Sequence, residues 1–397
     1  MLTDKKIVLG VTGSIAAYKA ADLASKLTQA GAQVDVIMTK AATEFVTPLS
    51  FRSLTHRPVV TEMFDAQSEL SVEHVSLARR ADIVVIAPAT ANTIAKVALG
   101  IADDMLSSTV LATKSPVVIA PAMDANMYEN LVTQDNLARL RARGFTIVGP
   151  AAGRLATGAI GMGRLVETQQ IVDTIRQILG REGDLAGRRV VVSAGPTEEP
   201  LDPVRNITNR SSGKMGYAIA EAARDRGAQV VLVSGPVSLP EPVGIEIVKV
   251  QTTQQMRDAV FVATRRADAL IMAAAPADYR PAATAEQKIK KEKAGTLNIE
   301  LVRNPDILSE VQGDFIKVGF AAESEELLEN AKEKLVRKGA HLFVANDITA
   351  TDAGFNVDTN RVAIIDRSGQ IESLPLMLKS EVADKILDRI VELLKSR

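Results

Sequence analysis

The stretch "KIVLGVTGSIAAYKAADLASKLTQAGAQVDVIMT", Lys6 to Thr39, decides the fold class. An apolar run carries Gly10 and leads to Gly13, a segment with helical spacing follows, Gly31 stops it, and a second apolar run begins near Gln33. Ser14 is expected to cap the helix, since a hydroxyl there can accept a first-turn N–H, and "QVDVIMT" is expected to alternate as a strand. This is β-α-β grammar. It recurs in "RRVVVSAGPT", residues 188–197, and "SSGKMGYAIAEAARDRGAQVVLVSGP", residues 211–236, where Gly227 ends the helix. Each half also holds a later strand, "ADIVVIAPATANT" (81–93) and "ADALIMAAAPADYR" (267–280), that runs from apolar residues into proline and small polar ones. Two α/β sheets are implied.

A chain of 397 residues exceeds what one core usually organises, so two domains are expected. The polar, glycine-bearing "GREGDLAGR" sets the division: residues 1–180, a linker over 181–188, and residues 189–397. In open parallel sheets ligands bind beyond the carboxyl ends of the strands, so each half should hold a site. With 47 basic against 48 acidic residues, the chain carries no global footprint for nucleic acid or an anionic membrane. Aromatic residues are 3% of the chain and Trp is absent, which argues against a stacking platform for single strands. The absence of cysteine excludes disulfides, thiolate metal sites and a cysteine nucleophile. No segment reaches the roughly 18 apolar residues of a membrane span, so a soluble cytoplasmic protein is expected.

In the first half, Gly10, Gly13 and Ser14 lie at a strand-to-helix turn, where free N–H groups favour an anion such as phosphate. The spacing is not the dinucleotide fingerprint, and a structural turn is an equal reading. Thr90, Asn92 and Thr93 follow a strand as hydrogen-bonding groups. His74, one of three histidines, sits beside Glu73 at a helix start and can exchange a proton near neutrality. In "PAMDANMY", residues 121–128, Asp124 and Asn126 emerge directly after the apolar "SPVVIA"; Asp124 is either a working acid or a turn former.

Together with "GIADDMLSS" and "GRLATGAIGMGR", these segments occur in the order and approximate spacing of the flavin-dependent cysteine decarboxylases, and the resemblance covers essentially the first 180 residues. It implies a flavodoxin-like domain that holds FMN, often between subunits of a trimer, and oxidises a substrate thiol so that CO2 can leave. By the same resemblance Gly13, Ser14, Thr39, Thr90, Asn92, Thr93 and Ser107 contact FMN, Asn126 and Met127 contact substrate, and His74, Asp124 and Thr157 are catalytic. Three positions depart from the family's usual pattern: Asp124 replaces Asn, Tyr128 replaces Trp, and Thr157 replaces Cys. An ionised Asp124 would repel a substrate carboxylate by roughly 4 kcal/mol at about 4 Å and an effective dielectric of about 20. Protonation of Asp124, a substitute contact from Asn126, and impaired decarboxylation are the three ways this can resolve.

In the second half, "GPTEEPLDPVRNITNRSSGKMGYAIA", residues 195–220, places carboxylates, Arg205, asparagines, paired serines with Gly213, and Lys214 in one loop before a helix. Such a loop can orient an anionic substrate through N–H groups and a cation. "AEQKIKKEKAG" adds Lys288, Lys290, Lys291 and Lys293, either a solvated face or a counter-charge for a triphosphate. With "APADYR", "RNPDIL", "VGFAAES" and "ANDI", these blocks resemble phosphopantothenate–cysteine ligases from about Val190 onward. The whole chain is thus similar to the bifunctional coenzyme A biosynthesis enzymes, with a Rossmann-like ligase domain behind the flavin domain.

That resemblance implies activation of 4'-phosphopantothenate by CTP and Mg2+ as an acyl-cytidylate, then attack by cysteine. The product, 4'-phosphopantothenoylcysteine, is the substrate of the first domain, which yields 4'-phosphopantetheine. Asn209 would polarise the acyl-cytidylate, and Ser212, Gly213, Lys214, Lys288, Lys290, Lys291, Asn304, Pro305, Asp306, Lys334 and Lys338 would contact substrate or nucleotide. Phe320 would lie near the cytosine, and Asp278 is the metal candidate. The implied assembly is a homo-oligomer built on trimers, up to a dodecamer, with a dimeric ligase domain. The alternative is an active ligase behind an FMN-binding assembly domain that decarboxylates poorly. A nicotinamide oxidoreductase is the fallback from fold alone.

Overall fold

The computed structural model describes residues 2–63, 73–290, 297–323, 327–347 and 357–397. The chain divides into two compact units, Met1–Leu179 and Gly180–Arg397. No helix among the described residues is long and apolar enough to cross a membrane.

The first unit runs β1 (Lys6–Val11), α1 (Ala17–Gln29), β2 (Gln33–Met38), α2 (Pro48–Thr55), β3 (Val59–Val60), α3 (Glu73–Arg80), β4 (Ile83–Ala89) and α4 (Ala91–Leu99). It continues with α5 (Met105–Ala112), β5 (Val117–Pro121), α6 (Ala125–Glu129), α7 (Leu131–Ala142), β6 (Thr146–Ile147), the hairpin β7 (Ala151–Arg154) and β8 (Ile160–Arg164), and α8 (Thr168–Leu179). The sheet is parallel, in the order β3-β2-β1-β4-β5-β6, and with the two-residue edge strand β3 set aside it has the 2-1-3-4-5 order of the flavodoxin-like class. Separate apolar clusters cover its two faces.

Two local expectations change. α1 begins at Ala17 with Ala16 in the cap position, so Ser14 is not the N-cap; its hydroxyl accepts from the Ala16 N–H at 3.3 Å, two residues ahead of the cap. β2 does not alternate, because both faces of the parallel sheet are covered there and five consecutive residues are buried. Asp35 tolerates that burial through Arg57 at 2.7 Å and Arg80 at 3.0 Å. Gly31 does end α1, at φ +87°, a conformation that costs glycine little.

The second unit contains β9 (Arg189–Ala194), the hairpin β10 (Glu198–Pro200) and β11 (Asn206–Thr208), α9 (Lys214–Asp225), β12 (Gln229–Ser234), β13 (Glu246–Lys249), α10 (Thr253–Ala263), β14 (Ala269–Met272), β15 (Tyr279–Pro281), β16 (Leu301–Arg303) and α11 (Ile307–Glu310). Then come β17 (Ile316–Glu323), α12 (Leu327–Arg337), β18 (Leu342–Asp347), β19 (Thr359–Asn360), β20 (Val362–Asp366), β21 (Ile371–Ser373), β22 (Met377–Leu378) and α13 (Lys379–Lys395). Its main sheet has the order β13-β12-β9-β14-β17-β18-β20-β21. The first six strands are parallel in a Rossmann-like arrangement, and the last two run antiparallel.

The segment expected to be a free linker is part of this unit. Leu185 is fully buried in its core and donates to the Arg226 carbonyl at 3.0 Å, and Asp184 pairs with the Arg226 guanidinium. Glycine content marks tight turns here, not a spacer.

α9 and α13 each open on a lysine, an unfavourable position for a cation beside the positive end of the helix dipole. Lys214 meets Asp358 at 2.7 Å, and buried Lys379 donates to the Val357 carbonyl at 2.5 Å. Burial first, then the Lys214 charge, lowers the Lys379 pKa from 10.5 to about 8. Because the folded pKa lies below the unfolded one, the unfolded chain binds more protons between about pH 8 and 10.5, so stability contributed at this site rises with pH across that window. Urea unfolding of the second unit at pH 8 and pH 10 should show that rise, and Lys379→Met should flatten it; an identical slope in the variant contradicts the assignment.

Candidate active sites

In the first unit the strand order reverses between β1 and β4, and the two strand ends are tied by one side chain. Thr12, fully buried, donates its hydroxyl to the Pro88 carbonyl at 2.7 Å and accepts the Thr90 N–H at 3.0 Å. Thr90 is thereby set as the N-cap of α4, and its hydroxyl accepts from the Thr93 N–H. Gly13 lies so close to Ala41 that an added Cβ would stand 2.5 Å from the alanine methyl, which keeps the first turn free of side chains.

A cavity of about 930 Å³ opens at this reversal and brings together Gly13, Thr39, Thr90, Asn92, Thr93 and Met127, all expected from the sequence. Ser107 is not in its lining. Its hydroxyl is spent in a capping box with Asp104, donating to the carboxylate at 2.8 Å, and Asp104 faces the cavity instead. Burial pushes the Asp104 carboxyl up, but the Ser107 hydrogen bonds and Lys96, 3.2 Å away, hold it below its ordinary range. Lys96 also meets Asp103 at 2.7 Å, and that hydrogen bond raises its own pKa.

A second cavity, about 490 Å³, joins Asp124 and Thr157 with Ser14 and three cations that sequence reasoning missed, Lys19, Arg154 and Arg164. Lys19 follows the glycine turn as the third residue of α1, and the arginines flank the β7–β8 hairpin; "AAYK" and the paired "GR" were the available signals. The Lys19 nitrogen is buried without a hydrogen-bond partner, with Glu167 no closer than 3.7 Å. Gly163 docks the hairpin: it accepts the Met123 N–H at 2.9 Å, and a Cβ there would collide with the Met123 carbonyl. An anion entering this cavity meets three positive groups and one acid.

Asp124 caps α6, accepting the Asn126 N–H at 3.0 Å, so the turn-forming role is real and coexists with a place in the cavity wall. The Asn126 side chain is exposed and lines neither cavity. His74, half-buried in the first turn of α3, is likewise absent from both linings.

In the second unit the reversal falls between β9 and β14. Beneath it lies a buried polar knot. Glu199, 2% exposed, accepts from the Thr253 N–H at 2.8 Å and the Thr253 hydroxyl at 2.7 Å, while Thr197 accepts the Ala277 N–H at 2.9 Å. Above it, the Asn209 amide donates to the carbonyls of Ala275 and Pro276 at 3.3 and 3.0 Å. Gly213, at φ +76°, packs against Gly195 and starts α9, with Ser212 before it and Lys214 held by Asp358.

Asn304 acts as a brace rather than an open contact: it donates to the Ala277 carbonyl at 2.9 Å and accepts from Arg280 at 3.0 Å. Pro305 follows, half-buried, and Asp306 caps α11 and meets Lys338 at 3.3 Å. Burial raises the Asp306 carboxyl, but Ser309 and Lys338 outweigh it and hold it low. Phe320 is half-buried on β17, and Lys334 is half-buried on α12. Lys288 and Lys290 are exposed; between them the Ile289 N–H anchors to buried Asp202 at 3.1 Å. Lys291 lies outside the described residues. Asp278 is exposed, and no group of three metal-ligating side chains occurs among the described residues. A hard cation here would depend on ligand oxygens, as Mg2+ on nucleotide phosphates does.

Residues 1–180 match the Flavoprotein family model, and residues 185–394 match the DNA/pantothenate metabolism flavoprotein C-terminal domain. The chain is 46% identical to the coenzyme A biosynthesis bifunctional protein CoaBC of Vibrio parahaemolyticus over 99% of both chains. It is 45% identical to the CoaBC proteins of Bacillus subtilis, over 100% of this chain and 98% of the relative, and of Escherichia coli, over 98% and 97%. Among solved structures it is similar to a CoaBC C-terminal domain, 40% identical over 54% of this chain and 100% of that one with a TM-score of 0.47. It is also similar to the FMN-dependent cysteine decarboxylase SpaF, 35% identical over 45% and 97% with a TM-score of 0.40. By its two family models and its full-length relatives, the chain belongs to the CoaBC family of bifunctional coenzyme A biosynthesis enzymes, a flavoprotein decarboxylase unit followed by a ligase unit.

Proposed function

We propose that the second unit joins 4'-phosphopantothenate to cysteine with CTP, and that the first unit decarboxylates the product with FMN. The observation that carries this reading is the pairing, at one sheet reversal, of a large cavity with a smaller cationic one. The larger has the size expected for a cofactor and the N-terminus of α4 in its wall. Gly13, Thr39, Thr90, Asn92 and Thr93 would hold FMN there, leaving Ser14 to the neighbouring cavity and Ser107 to the support of Asp104. When bound, FMN would supply the reversible two-electron acceptor that oxidation of the substrate's cysteinyl group requires.

The chain's own groups do the rest. Lys19, Arg154 and Arg164 receive the anionic substrate and offset the charge of Asp124, so a carboxylate can approach that residue without the repulsion expected of an isolated acid pair. Thr157 supplies a hydroxyl in the same wall. His74 exchanges a proton; because it lines neither cavity, the proposal includes a trimer-based homo-oligomer in which another copy brings it to the site. Asn126 and Met127 follow Asp124 on the same short helix, with Met127 in the wall of the larger cavity.

In the second unit the substrate carboxylate attacks the α-phosphorus of CTP, and pyrophosphate leaves. Cysteine's amine then attacks the acyl carbon, loses a proton, and displaces CMP. Asn209, held over the Ala275 and Pro276 carbonyls, orients the acyl-cytidylate. Ser212, Gly213 and Lys214 border it, while Asp306, Lys334, Lys338, Lys288 and Lys290 face the nucleotide, Phe320 lies by the base, and Asp278 bears on Mg2+. A cytoplasmic setting completes the reading.

With Mg2+, CTP and 4'-phosphopantothenate the protein should release one pyrophosphate per acyl group activated, and Asn209→Ala should slow this by about 10²-fold, the scale of misplacing a reacting group. Absence of CTP-dependent pyrophosphate refutes the ligase reading. For the first unit, Asp124→Asn should keep the α6 cap, since Asn and Asp cap equally well, and lower the KM for 4'-phosphopantothenoylcysteine. Unchanged KM and CO2 release across pH would confine Asp124 to the helix start.

A further inference from the structure

α11 is a single turn, Ile307–Glu310, too short to be stable alone, so whatever holds it decides where its cap, Asp306, stands. Two residues of β17 hold it. Gly319 brings the sheet close: a Cβ there would meet Leu308 of α11 at 2.7 Å and press on the Phe343 ring. Lys317, on the same face two residues earlier, is 5% exposed, and its ammonium spends all three protons on main-chain carbonyls. These belong to Leu308 at 3.1 Å, Val311 at 2.7 Å and Lys338 at 3.3 Å.

Two of those carbonyls close α11, and the third follows the end of α12. A cation suits the negative ends of helices, yet an ammonium at this depth is costly unless every donor is met. Burial, with a further push from Arg367, lowers its pKa, and Asp306 opposes that shift. The surrounding core is apolar, so an aliphatic side chain would spare the ammonium its desolvation but take the donor away from all three carbonyls. Lys338 is the residue whose side chain meets Asp306 at 3.3 Å. α11 and the end of α12 are therefore fastened twice, by Asp306–Lys338 on one side and by Lys317 on the other.

We propose that Lys317 is a positioning residue for the nucleotide subsite: by tying α11 to the end of α12 it fixes the geometry of the Asp306–Lys338 pair. This rests on the assignment of that pair to the nucleotide. In the full-length enzyme, Lys317→Met should raise the KM for CTP about tenfold, the loss expected for hydrogen bonds to a charged group. The KM for 4'-phosphopantothenate, the rate at saturating CTP and the flavin absorbance should change little. Lys317→Gln, whose amide still donates, should recover part of the CTP affinity. In a Lys338→Met background the Lys317→Met change should add nothing more, since it acts through Lys338.

If Lys317→Met does not fold, Lys317→Gln against the parent carries the test, with a selective rise in CTP KM as the supporting result. An unchanged CTP KM, equal rises for both substrates, or full additivity with Lys338→Met overturns the inference. A parent enzyme that releases no pyrophosphate from CTP overturns the functional reading, and the inference falls with it.

Discussion

A buried threonine hydroxyl stands at each point where the winding of a sheet reverses, and the surrounding loops take their places from it. Thr12 bonds to the main chain at Pro88 and Thr90, across from its own strand to the exit of the next. Thr197 does the corresponding work in the second unit, accepting from Ala277 and sharing a hydrogen bond with Thr253. The geometry explains why a hydroxyl is needed: each bridge uses a donor and an acceptor of one small group, which valine of the same shape cannot offer. Leaving such partners buried and unpaired costs on the order of 1–3 kcal/mol, and the loss would fall on the segments that border each site. Each reversal thus has a rigid floor, and in the first unit the larger cavity opens above it.

Charge is arranged locally in a chain whose total is close to neutral. Lys19, Arg154 and Arg164 gather around one acid in the smaller cavity of the first unit. Lys214 and Lys379 crowd the starts of two helices around Asp358. Lys317 sits in an apolar layer with carbonyls for company. In each case the cation occupies a position with a desolvation or dipole penalty, so its placement reflects a requirement of geometry or ligand charge more than of folding.

Much of this was legible in the sequence. The apolar runs that become β1, β4, β9 and β14, each followed by glycine, proline or small polar residues, specify parallel strands and locate the loops where chemistry gathers. Gly13, Thr90, Asn92 and Thr93 were found because they lie just past such strands, and the cavity collects them. What failed did so for identifiable reasons. Ser14 has the chemistry of a cap but stands two residues ahead of the cap position, and so small an offset is invisible to pattern reading. β2 lost its alternation because the parallel sheet is covered on both faces there, a tertiary fact. Ser107 looks like a free hydroxyl until Asp104 closes on it. Lys19 and the two hairpin arginines escaped notice because the residues that surround them arrive from distant parts of the chain, and nothing in their immediate neighbours distinguishes them from surface charges.

The segment once read as a spacer also bears on ancestry. Because Leu185 fills the core of the second unit while α8 ends at Leu179, each core is built from residues on its own side of the Leu179–Gly180 division. A gene that joined two free-standing enzymes at that point would have brought two cores already complete. A later fission there would strand neither product without a core, whereas a break eight residues downstream would carry off part of one.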